Sequence, residues 1–284
     1  MTNHCLPAII FTDTTLCGAA AAFSAPERRD IAEALGRTRV DEIELPAVQA
    51  YHSGSARPVL RAAMTRQAVH AARRAGAGTV HLRMPLSPWR SGSDSVIRRI
   101  GDVTAHAIAS GLRAAVFAEA CSAVSFELVS DAMAAAEAAG AHRFVFADTA
   151  GLLDPTTTHD LFRDLCAETD LELGFEGHGS FCRAMANTLA AIRGGATHVS
   201  AAMNAPFRDE GAACAAPLDT LARAIAHSAE HHSHIELACL PALAACVAQA
   251  ARHHRQTCPA QQIDVVHRPA WQLGPLPSHV AAAE

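Results

Sequence analysis

Most of the short apolar runs in this chain end in side chains able to bind, protonate or ligate. Asp13, Thr14 and Thr15 follow the first run, Glu44 the second and Arg83 the fourth. Glu119 follows the fifth, Asp148 and Thr149 the sixth, Glu176 and His178 the seventh, and Asn204 the eighth. Any one of these reads as a helix cap or a solvated loop, but their recurrence at the same end of successive runs argues for a shared site. Glu176 and His178 are two apart, which places both on one face of an extended segment. One carboxylate oxygen and one imidazole nitrogen, with Asp13 as a third ligand, would hold a divalent cation and leave positions open for a substrate.

The elements that carry these residues follow from the pattern. Apolar runs at 8–12, 42–45, 58–62, 79–83, 113–118, 143–147, 172–175 and 197–202 predict eight strands. Alanine-rich stretches of helical period lie between them, near 26–37, 65–75, 94–110, 124–139, 156–168, 182–194 and 214–231, several opened by Ser, Thr, Asp or Pro. Repeated strand–helix alternation implies parallel strands with right-handed crossovers, and eight strands imply a closed (β/α)8 TIM barrel, whose chemistry sits at the C-terminal strand ends. The stretch from Pro46 to Arg57 lacks a helical stripe, so the second crossover is expected to be a bare loop or very short helix. A further helix is expected over roughly 239–252, with the barrel spanning 1–255 and an irregular tail over 256–284.

Composition removes several classes of function. The 23 cationic residues are all arginine, so a Schiff-base aldolase, a pyridoxal phosphate enzyme and a Walker-type phosphate loop lack their lysine. A net charge of −5 with scattered arginines offers no basic field for nucleic acid or anionic lipid, and neither is an expected partner. The nine cysteines contain no C-x-x-C pair, so a zinc ribbon or a secreted disulfide framework is not indicated. They are expected to be mostly buried small hydrophobes in a cytoplasmic protein, because no apolar stretch reaches the roughly 18 residues that would span a bilayer.

Four segments carry a resemblance: F-T-D-T-T-L (11–16), F-A-D-T-A-G-L-L-D-P (146–155), M-A-N-T-L-A-A-I-R-G-G-A-T-H-V (185–199) and N-A-P-F-R-D-E-G (204–211). They are similar to the homocitrate synthase and isopropylmalate synthase family of metal-dependent barrels, most of all to its nitrogen-fixation branch. The likeness runs almost without gaps over 111–211 and more weakly over most of 8–255. It implies a condensation in which acetyl-CoA is deprotonated and its enolate attacks the keto carbon of a 2-oxo acid, with thioester hydrolysis following. It also implies a divalent cation (Mg, Mn or Zn) that polarises the keto group, held by an acidic residue of an L-R-D/E-G motif and by both histidines of H-x-H. Glu119, Asp148 and Thr149 are then the catalytic candidates, Glu44, Arg83, Thr149 and Asn204 the substrate-binding ones, and Asp13, Glu176 and His178 the metal ligands. A homodimer is a further expectation.

The sequence departs from the family where the chemistry is concentrated. After Leu16 it reads Cys17, Gly18 and four alanines, so the motif's arginine and acid are missing. Glu176 stands at the first histidine of H-x-H, and Gly179 and Ser180 replace the polar pair that follows. The expected histidine motif is not recognisable near Trp271, and the companion C-terminal domain of longer family members is expected to be absent. Losing one oxyanion donor costs about 2.7–4 kcal/mol, so condensation is expected to be weak or absent, and a silent barrel acting as a binding or regulatory partner, with nitrogen fixation as the implied setting, is the alternative. His227 and His231 have the spacing of a helical zinc pair, but with His232, His234, His253 and His254 they read better as solvated helix ends. Cys17, at the position of the missing arginine, reads as a drifted residue rather than a nucleophile.

Overall fold

The computed structural model describes residues 6–17, 23–46, 56–86, 92–179, 183–203 and 214–257. Eight strands run parallel in chain order: β1 (Ile10–Asp13), β2 (Glu42–Pro46), β3 (Arg57–Ala63), β4 (Thr79–Pro85), β5 (Arg113–Glu119), β6 (Arg143–Asp148), β7 (Glu172–Gly179) and β8 (His198–Ala201). Each pairs with the next, and β8 returns to β1 with Ile10 opposite His198, so the sheet closes into a TIM barrel. A two-residue strand, β9 (Cys214–Ala215), pairs antiparallel with His178 and Gly179 at the end of β7.

Helix α1 (Ala25–Arg37) follows β1, and α2 (Arg66–Arg74), α3 (Ser93–Ala109), α4 (Phe126–Ala138), α5 (Pro155–Glu168), α6 (Arg183–Arg193) and α7 (Leu218–Ala226) follow β3 to β8. Their starts are written locally. Ser24 and Glu27 form a reciprocal capping box before α1, Thr65 caps α2, Ser125 caps α4, and Asp154 accepts from Thr156 and Thr157 with Pro155 in the first turn of α5. The Asp-Pro that ends the segment 146–155 is thus a helix start. Apolar residues three and four apart, such as Val96, Ile100, Val103 and Ala107 on α3, turn inward onto the strands.

Two boundaries differ from expectation. The seventh helix is shorter than 214–231, because Cys214 and Ala215 are held by β7 and Pro217 sets the N-terminus of α7, while His227 caps its end. The last helix, α8 (Leu240–Thr257), runs two residues into the stretch expected to be irregular and packs against α1, with its Leu243, Val247 and Ala250 buried. The bare second crossover falls on residues 47–55, and the rest of the tail beyond 257; both lie outside the described residues. Among the described residues no helix is long and apolar enough to cross a membrane.

The main apolar core lies between strands and helices. The barrel interior is different: among the described residues Ala115, Phe117 and Val145 form a small apolar group of their own. Around them Thr12, Glu42, Glu44, His81, Arg83, Arg143, Glu176 and His198 are buried polar side chains.

Candidate functional site

Strand alternation sends residues two apart to the same face, and β2 and β4 each send two polar groups inward: Glu42 and Glu44, His81 and Arg83. The inner pair belongs to the barrel floor. Glu42 takes Arg143 of β6 at 2.8 Å, Arg57 at 3.2 Å and the Thr12 hydroxyl at 2.8 Å. Burial would raise the Glu42 carboxyl, but His81 and Arg143 hold it far below the ordinary range. His198 is pushed down to about 2 and His142 to about 4, in each case by burial first and by Arg143 second, so both rings are neutral. His81 bridges the tiers, with Nδ1 at 3.1 Å from Glu44 and Nε2 at 3.6 Å from Glu42.

The outer pair belongs to the mouth, where Arg83 is the centre. Its side chain is only 6% exposed, yet it meets carboxylates from three other strands. Nη1 and Nη2 donate to the two oxygens of Glu176 at 2.8 Å each, and Nη2 also lies 3.1 and 3.0 Å from the oxygens of Glu44. Glu119 is 3.5 Å from Nη1, and the guanidinium carbon stands 4.4 Å from the centroid of the Phe117 ring. Arg61, 38% exposed, adds longer pairings of 3.6 Å to Glu44 and 3.7 Å to Glu119. Burial favours the neutral form of Arg83, but Glu176 and Glu44 reverse this and fix its charge. The same guanidinium keeps Glu176 and Glu44 ionised against their burial. His178 turns Nε2 toward Glu176 at 3.2 Å.

Of the residues expected at the site, Glu44, Arg83, Glu119, Glu176 and His178 are therefore brought into one network. Asp13, Asp148 and Thr149 lie at the same end of the barrel but are spent on loop amides and hydroxyls, those of their own turns and of the segment after β5. Asp13 accepts from the Thr15 amide at 3.0 Å and the Thr15 hydroxyl at 2.9 Å, and that hydroxyl accepts from Met203 at 2.8 Å, tying β1 to the end of β8. Burial pushes the Asp13 carboxyl up to about 7 despite those bonds, with Glu44 adding to the rise. Asp148 accepts from the Ser122 hydroxyl and from the amides of Leu152 and Leu153 at 3.1 and 3.3 Å, and Thr149 accepts from the Ala120 amide at 3.0 Å. Gly151 closes this turn at φ +63°, and a Cβ there would stand 3.0 Å from the His178 carbonyl oxygen. Asn204 lies outside the described residues.

Asp13, Glu176 and His178 do not form the ligand set expected of them. Among the described residues no three His, Cys, Asp or Glu side chains gather as a metal site. The reason is local: the Asp13 oxygens serve Thr15, and both Glu176 oxygens serve a guanidinium that brings its own positive charge. The donors present do not fit a divalent ion. Cys17 borders the network, but burial and then the charge of Glu44 raise its thiol well above the ordinary range, so it is not an activated nucleophile. Cys17, Cys121, Cys166, Cys239 and Cys246 are free thiols, of which Cys121 is buried, Cys17, Cys239 and Cys246 are half-buried and Cys166 is exposed. His227, His234 and His253 each have separate partners, in the Arg223 carbonyl, Asp41 and Glu27; His227 caps a helix end as expected, but His254 is buried within α8 and His234 belongs to no helix.

Residues 8–247 match the family model described as HMGL-like. This chain belongs to the HMGL-like family. The family's members typically hold a divalent metal, and among the described residues no ligand group for one gathers. A homocitrate synthase of Frankia alni is 30% identical over 267 residues, covering 86% of this chain and 75% of that one. The homocitrate synthase of Sulfolobus acidocaldarius is 30% identical over 163 residues, but there the match spans 57% of this chain and 33% of the relative. The HMG-CoA lyase structure from Bacillus subtilis superposes with a TM-score of 0.76 at 14% identity over 87% of this chain and 95% of that one, a likeness of fold. The family barrel accounts for the retained motifs at 146–155 and 185–199. In the second, a Cβ on Gly194 would stand 2.5 Å from the His159 carbonyl oxygen, so the glycine lets α6 end against α5.

Proposed function

We propose that this chain is a homocitrate-synthase-like barrel that does not run the condensation of acetyl-CoA with a 2-oxo acid at a useful rate and acts by binding. The observation that carries this reading is the Arg83 guanidinium locked between Glu44 and Glu176. Condensation needs an open base to deprotonate the acetyl group and an open cationic donor where the keto oxygen becomes an alkoxide. Glu44 and Glu176 are held ionised by Arg83, and Arg83 has committed both terminal nitrogens to them. Asp148, retained from the family pattern, serves the backbone of its own turn, and Thr149 serves the amide of Ala120 beyond β5. Missing one oxyanion donor alone lowers a rate by about 10²–10³.

What remains is a mouth suited to a small carboxylate. Arg61 faces solvent there at 38% exposure, and its pairings with Glu44 and Glu119 exceed hydrogen-bond length, so a ligand carboxylate can take its guanidinium at little cost. A 2-oxo acid is the ligand class that the family relationship supports.

The test is release of free CoA from acetyl-CoA by the full chain with Mg²⁺ or Mn²⁺ and a panel of 2-oxo acids, beside calorimetric binding of the same acids. The expected result is release at the background rate, with acid binding weakened at least tenfold by Arg61→Ala. Sustained release that depends on a 2-oxo acid and is abolished by His178→Ala would overturn the reading.

A further inference from the structure

We propose that Arg83 is the resident cation of this barrel mouth: its guanidinium occupies the position among Glu44, Glu119 and Glu176 that a divalent ion would need, and it keeps such ions out. The geometry gives three reasons. Both terminal nitrogens are engaged, because Nη1 and Nη2 each meet a Glu176 oxygen at 2.8 Å while Nη2 also lies 3.0 and 3.1 Å from Glu44. The ring of Phe117 supports the guanidinium 4.4 Å away, so the cation is held by an aromatic face as well as by charge. Glu44, Glu119 and Glu176 all turn toward Arg83, and His178 places Nε2 3.2 Å from Glu176.

Charge makes the exclusion mutual. A divalent ion entering beside a buried guanidinium meets a like charge in a poorly screened setting, and it can claim Glu176 only by breaking a bidentate pair. Conversely, three buried or half-buried carboxylates without Arg83 would repel one another and would accept the nearest cation. Glu176, in place of the family's histidine, and Arg83 are then the two halves of one exchange: a carboxylate where a neutral ligand stood, and a fixed cation to match it.

The probe is Mn²⁺, followed by the loss of its free electron paramagnetic resonance signal, with the thermal midpoint recorded with and without Mn²⁺. The full wild-type chain is expected to leave Mn²⁺ free at this site, so Glu176→Gln should not change whatever binding occurs elsewhere. Arg83→Ala, which frees the carboxylates and His178, is expected to bind Mn²⁺ at least tenfold more tightly and to gain thermal stability from it, whereas Arg83→Lys, which keeps a cation, gains neither. If Arg83→Ala does not fold without metal, recovery of folded protein when Mn²⁺ is present during refolding supports the proposal in the same way, and no recovery counts against it. Wild-type binding of one Mn²⁺ that Glu176→Gln weakens tenfold would overturn it, as would a folded Arg83→Ala no tighter than wild type. Metal-independent CoA release would overturn the preceding functional reading and leave this proposal standing.

Discussion

Glu42 on β2 and Arg143 on β6 meet across the floor of the barrel, Oε2 to Nη1 at 2.8 Å, with both side chains 2% exposed. Neither is at the end where the chemistry of such barrels sits, so the pair belongs to the scaffold beneath the mouth. A charge left alone in this position is costly, while an apolar pair of similar volume is not. Arg143→Met should therefore destabilise the protein by about 3–5 kcal/mol in urea denaturation. Adding Glu42→Leu should recover most of that loss. A single substitution costing under about 1 kcal/mol would mean that Arg57, 3.2 Å from Glu42 and half exposed, neutralises the floor by itself.

Asp148 is expected to matter for folding. Its carboxylate satisfies the amides of Leu152 and Leu153 and the Ser122 hydroxyl, and leaving a buried donor unmatched costs about 1–3 kcal/mol. Asp148→Ala should lower stability by roughly 2–4 kcal/mol on that basis, and Thr149→Ala by about 1 kcal/mol. An Asp148→Ala protein as stable as wild type would return this carboxylate to the list of catalytic candidates.

Asp13 and the mouth glutamates should oppose each other in the pH dependence of stability. The Asp13 carboxyl rises from 3.8 to about 7 on folding, so the folded state binds its proton more tightly. Its contribution is most favourable below pH 3.8 and declines as pH rises toward about 7. The charged form at high pH costs up to about 4 kcal/mol, an upper figure set by that displacement. Glu44 and Glu176 are held below 4.5, so their contribution is present above that value and is lost as pH falls beneath it. Thermal midpoints measured from pH 5 to 8 should fall for wild type and much less for Asp13→Asn. Parallel curves for the two proteins would contradict this account.

Much of the architecture was legible in the residues. The runs that became β1 to β8 and the helical stripes that became α1 to α6, four of them with side-chain caps, are local signals, readable because strand and helix periods repeat within ten residues. What could not be read was which inward groups would find each other. Arg83 and Glu176 are 93 residues apart and Arg143 and Glu42 are 101, and no local pattern pairs them. The polar floor did leave a trace: Glu42 and His81 stand two residues before Glu44 and Arg83, and strand alternation requires each pair to share a face.

By itself, then, the sequence determined the closed parallel barrel, a likeness to homocitrate synthases within a broader family, and the absence of the arginine–acid motif and of one histidine of H-x-H. Only the tertiary structure decided how those losses are answered. Barrel closure brings β2, β4, β5 and β7 around one axis, and burial there makes each uncompensated charge expensive. The carboxylates of Glu44 and Glu176 therefore settle on the nearest buried cation, Arg83. Asp13, Asp148 and Thr149, beside unsatisfied turn amides and hydroxyls, settle on those instead. Long-range proximity under low polarity, which no stretch of sequence displays, is what divides one row of strand-end residues into a charged centre and a set of turn supports.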